Sequence, residues 1–68
     1  MKKAFDKNGD EIRVMSVVLV PTPNRVGDIH HCEFVGTVAD ILDDGNVIVE
    51  DLDSDFYEIE ADRLTIRG

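Results

Sequence analysis

The sequence predicts an all-β domain, closed as one small, strongly bent barrel of five to six short strands with a single 3₁₀ turn near Ala61–Arg63. Short β-branched runs recur between turn signals. No ten-residue stretch keeps a helical period. The chain has 68 residues, too few for two full sandwich sheets. Bending the strands round one core is then the economical closure, and it hides sheet edges. Residues 1–68 are expected to form one domain. A domain of this size buries only about 60% of its unfolded surface, which leaves little room for a deep pocket.

The elements follow in order. A short first segment around Ala4-Phe5 meets a tight turn in "DKNGDE" (6–11). In "EIRVMSVVLV" (11–20), Ile12 and Val14 alternate with Arg13. Val17-Val18-Leu19-Val20 then reads as buried on both sides or bulged. Pro21 and Pro23 open a long loop, "PTPNRVGDIHH" (21–31). "CEFVGTVADIL" (32–42) is a strand, with Gly36 at a bend or a close backbone approach. "DDGN" (43–46) is a hairpin signal, because Asp-Gly and Gly-Asn supply the positive φ of primed turns. "VIVEDL" (47–52) is its partner. "DSD" turns, "FYEIE" (56–60) is the next strand, "ADR" (61–63) a tight turn, and "LTI" (64–66) the closing strand. No internal repeat or linker is visible.

Charge narrows the classes of function. The net charge is −8. Five bases (Lys2, Lys3, Lys7, Arg13, Arg25) stand in residues 1–25 against Asp6, Asp10 and Glu11. Residues 26–62 hold twelve acids and no Lys or Arg, and Arg63 and Arg67 follow. A block of one sign repels phosphate backbones and attracts cations. One cysteine makes no intrachain disulfide, which fits a reducing cytoplasm. No apolar run approaches the ~18–20 residues of a membrane span. "MKKAFDKNGDEIR" has no apolar stretch behind its lysines, so no signal peptide is expected.

The run "FVGTVADILDDGNVIVEDLDSDFYEIEADRLTI" resembles the second half of an SH3-like barrel: a bent strand, a tight hairpin, two further strands, a one-turn 3₁₀ helix at "ADRL" and a last strand. The G-x-V-x-x-I spacing of Gly36, Val38 and Ile41 resembles a KOW motif. The opening "DKNGDEIRVMSVVLVP" resembles small bacterial and phage SH3-like proteins of uncharacterised function. In those proteins a "Gly-Asp-x-Val" step follows the first turn, and Met15-Ser16 stands in its place here. The resemblance implies a fold rather than an activity. KOW domains often bind nucleic acid or ribosomal partners through basic residues near the motif, and this chain has none there.

His30, His31 and Cys32 are adjacent and hold every histidine and the one cysteine. On a strand His30 and His31 point apart, while His30 and Cys32 share a face. With Asp28 or Glu33 they still fall short of a structural zinc set. A Cys-His nucleophile would also need an oriented base and an oxyanion site. The expectation is two exposed histidines and a cysteine packed as a small hydrophobe, with no metal, cofactor or catalytic residue. "DLDSDFYEIEAD" (51–62) echoes a calcium loop, but Phe56 replaces the sixth-position glycine and Asp62 the twelfth-position glutamate. A solvated acidic turn is expected.

Phe56 and Tyr57 are neighbours on one strand, so one faces inward. Tyr57 shares parity with Ile59 and Ala61 and is taken as inward. Phe56 then lies outside among Glu58 and Glu60, either as an anchor for a cationic peptide or as a barrel-rim residue covered by the N-terminal segment. The expected function is a non-enzymatic cytoplasmic interaction module that binds a cationic protein surface. Asp43, Asp44, Glu50, Asp51, Asp53, Asp55, Glu58 and Glu60 supply attraction, and Phe56 supplies grip. The alternatives are a KOW-like nucleic-acid or ribosome binder working through Lys2, Lys3, Lys7, Arg13 and Arg25, and an acidic decoy of a DNA-binding protein. Membrane binding is not expected.

Overall fold

The computed structural model describes residues 3–23, 30 and 32–67. It is all-β and antiparallel, with strands β1 (Ala4–Phe5), β2 (Glu11–Ile12), β3 (Val17–Val20), β4 (Phe34–Ile41), β5 (Asn46–Glu50), β6 (Phe56–Glu60) and β7 (Thr65–Ile66), and a 3₁₀ turn over Ala61–Arg63. β1 pairs with β2, and the larger sheet runs β6-β5-β4-β3-β7. Neither sheet closes on itself; the two antiparallel sheets fold over one core. Strands among the described residues number seven rather than five or six, because residues 11–20 hold two strands. The chain turns at 13–16, where the Ser16 amide donates to the Arg13 carbonyl (2.9 Å) and Met15 takes a φ of 79°.

Residue parity builds the core. Val18, Val20, Val38, Val47, Val49 and Ile59 come from the inner face of the larger sheet, and Ala4 and Ile12 come from the small hairpin; Leu64 fills between them. Removing each such valine, isoleucine or leucine side chain from water contributes about 1.5–3 kcal/mol. Val17–Val20 alternates exposed and buried rather than being buried on both sides, because only one face of β3 meets the core. β4 bends at a register shift between Val38 and Asp40, and a bulge of this kind increases local twist. Gly36 serves close approach: a Cβ there would stand 2.5 Å from Val49 Cγ1 and 2.7 Å from the Glu50 carbonyl oxygen.

Three hairpin loops share one geometry. At 6–10, 42–46 and 51–55 the first residue's amide donates to the fifth residue's carbonyl, and the fourth residue's amide donates back to the first carbonyl. The fourth residue has positive φ each time: Gly9 at 84°, Gly45 at 91° and Ser54 at 65°. This is a type I turn closed by one left-handed residue. The hairpin at Asp43–Gly45 is therefore not the expected primed turn, which needs two positive-φ residues in succession. In the loops at 6–10 and 51–55 the leading aspartate also caps the turn. Asp6 Oδ1 accepts from the amides of Asn8 and Asp10 (2.9 and 2.8 Å). Asp51 Oδ1 accepts from those of Asp53 and Asp55 (both 2.9 Å).

Asp6 also ties the small sheet to the larger one. Its Oδ2 accepts from the Ile66 amide (3.1 Å), and the neighbouring Lys7 amide donates to the Leu64 carbonyl (3.0 Å). Its carboxylate is 4% exposed. The Ile66 amide does most to hold the carboxyl below its ordinary value; burial opposes this, and the amides of Asp10 and Asn8 reinforce it.

Candidate functional site

Strand register assembles the outer face of the larger sheet. Phe56 stands opposite Glu50, Glu50 opposite Thr37, and Thr37 opposite Val17. The side chains in this row point away from the core. Phe56 is 57% exposed, whereas Ile59 and Ala61 are buried and Tyr57 packs against the core. Beside Phe56 on β6, Glu58 faces Ile48 and Glu60 faces Asn46. The Asn46 side-chain amide donates to Glu58 Oε2 (2.8 Å).

The acidic residues do not form one cluster. Asp43 and Asp44 lie on the hairpin before β5, and Asp51, Asp53 and Asp55 on the turn after it. A strand of five residues separates them, roughly 17 Å at ~3.4 Å per residue. The expectation that all eight acidic residues act together is thus corrected: antiparallel connection puts successive turns at opposite ends of a strand. Asp44, Glu60 and Asp62 share a depression with Lys3 and Phe5 at one end. At the other end, Glu50 and the 51–55 turn stand next to Phe56.

The turn at 51–55 meets the run that holds the histidines. His30, Cys32, Phe34, Tyr57 and the three aspartates line one groove of about 240 Å³. Asp51, Asp53 and Asp55 bring carboxylate oxygens within 4.8 Å of one another. The turn's own hydrogen bonds account for that convergence: Asp51 Oδ1 is occupied by two backbone amides. Burial, then the charges of Asp51 and Asp55, raise the Tyr57 hydroxyl above its ordinary value.

His30 is 5% exposed, against the expectation of an exposed residue. Its ring meets Phe34 and Tyr57 edge-on, with centroids at 5.7 and 6.0 Å. The Nε2–H donates to the Pro21 carbonyl (2.8 Å), and Nδ1 has no hydrogen-bond partner among the described residues. Cys32 is exposed rather than packed as a small hydrophobe. His31, Arg25 and Asp28 lie outside the described residues.

Sequence reasoning passed over the apolar part of this face. Leu52, on the turn tip, is 98% exposed, and Val17 and Val35 on the sheet are also exposed. A depression of about 240 Å³ joins Val17, Val35, Glu50 and Leu52. A neighbouring one of about 290 Å³ adds Phe34 and Asp53. The repeated D-x-[N/D]-[G/S]-D spelling at 6–10 and 51–55 was the available signal. It marks 51–55 as a structured turn, on which Leu52 has no inward position to occupy.

Comparison with protein-family models, curated proteins and solved structures returns no match. No helix among the described residues is long and apolar enough to cross a membrane.

Proposed function

We propose that this chain is a non-enzymatic, cytoplasmic protein-interaction module on an SH3-like barrel, and that the outer face of its larger sheet takes a cationic surface of a partner protein. One observation carries the reading: Phe56 is 57% exposed beside Glu50 and Glu58, within a 37-residue stretch (26–62) that has no Lys or Arg. An aromatic face rimmed by carboxylates suits a cation, and a field of one sign speeds the encounter. For the fold, support comes from the order of elements, with the 3₁₀ turn leading into the last strand. Met15, where the resembled proteins have glycine, takes the positive φ that glycine adopts freely.

Capture from the native host tests the reading, with wild type and the charge-reversed pair Glu50→Lys and Glu58→Lys compared by mass spectrometry. A basic protein retained by wild type and lost by the variant is expected, with association slowed by salt. Phe56→Ala should speed dissociation without unfolding the domain. Ribosomal RNA retained equally by both proteins would point instead to the KOW-like role. A DNA-processing enzyme as the basic partner would specify a decoy.

A further inference from the structure

The two depressions beside the 51–55 turn share Val35, Asp51 and Leu52 and form one cleft, with Val17 at its far end. We propose that this cleft seats an arginine or lysine from an extended segment of the partner protein. The aliphatic stem lies over Val35 and Leu52, and the charged head reaches Glu50 and Asp53. The inference rests on the acidic-face reading above and gives it a specific pocket.

Chemistry selects that occupant. The floor and one wall are apolar and the rim at the 51–55 end is anionic, with Glu50, Asp51 and Asp53, which complements a long side chain with an apolar stem and a cationic tip. Leu52 is 98% exposed on a turn whose backbone the Asp51 carboxylate pins at two amides. The wall is thus formed before a partner arrives, which lowers the ordering cost of binding. A second copy of the chain would bring another net charge of −8 against the same rim, and anionic phosphates would be repelled as well. Phe56 lies two strands from Thr37, about 9.6 Å at the usual strand spacing. Partner residues on Phe56 and in the cleft are therefore two to four apart on an extended segment.

The probe is a fluorescein-labelled peptide of alternating arginine and valine, read by anisotropy against the full chain. Leu52→Ser and Val35→Ser change exposed residues, and circular dichroism checks that both variants stay folded. Each is expected to weaken binding by about tenfold, as should Glu50→Gln combined with Asp53→Asn. If the serine variants bind like wild type while the charge variant weakens, the cleft is not the seat, although the acidic face still is. If the charge variant also binds like wild type, or wild type does not bind, both readings fall. A concentration-dependent dimer in sedimentation that Leu52→Ser abolishes would make a second copy the occupant and overturn the proposal.

Discussion

Ser54 takes a left-handed φ of 65° at the turn position where Gly9 and Gly45 stand in the sister loops. A side chain there meets the following carbonyl, at about 1–2 kcal/mol. Ser54→Gly is therefore expected to stabilise the domain by roughly 0.5–1 kcal/mol, after the added freedom of the unfolded chain is subtracted. The opposite change is costly at Gly36. A Cβ there overlaps Val49 and the Glu50 carbonyl, and backbone on two strands has to move. Gly36→Ala should destabilise by about 1–3 kcal/mol. Urea titration measures both, and a neutral Gly36→Ala would mean that β4 and β5 separate more readily than their register suggests.

Asp6 joins two elements through one carboxylate: it closes the β1–β2 hairpin and receives the Ile66 amide from β7. Its folded-state value lies below the ordinary 3.8. The ionised form is thus favoured by folding, so the contribution is complete above about pH 4 and is lost as pH falls through the folded value. Asp6→Asn should lower thermal stability at neutral pH and shrink the acid-side loss, since no proton at this position then distinguishes folded from unfolded chain. Melts from pH 7 down to pH 2 check this. An unchanged acid limb in the variant would place the pH dependence on other carboxylates. Tyr57 gives a matching limb at high pH: its raised value means stability lost as pH climbs above about 10.

For the molecule as a whole, the acidic excess dominates. Arg13 and Glu11 approach at 3.5 Å, but both are solvent-facing, and such pairs contribute ~0–1 kcal/mol. Added sodium chloride should accordingly raise the melting temperature by screening repulsion. No measurable binding to random duplex DNA is expected at physiological salt, because phosphate neutralisation supplies most non-specific affinity. Micromolar binding with a steep salt slope in anisotropy would show instead that the N-terminal bases act as a patch.

Sequence by itself determined the β class, most strand positions and the outward face of Phe56. Those properties follow from alternation along a strand and from local turn chemistry, both of which operate within a few residues. The Asp51–Asp55 segment was legible as an acidic turn, with a spelling that repeats Asp6–Asp10, but not as a pinned wall for Leu52. The hydrogen bonds that hold the turn, from the amides of Asp53 and Asp55 to Asp51 Oδ1, are seen only in the structure. Tertiary structure decided the rest. Cross-strand register, fixed by the core, set Glu50 between Phe56 and Thr37 and sent Asp43 and Asp51 to opposite ends of β5. It also set the His30 ring against Tyr57 of β6. Neighbours on different strands are chosen by the burial of all the inner side chains together, so no short stretch of sequence specifies them.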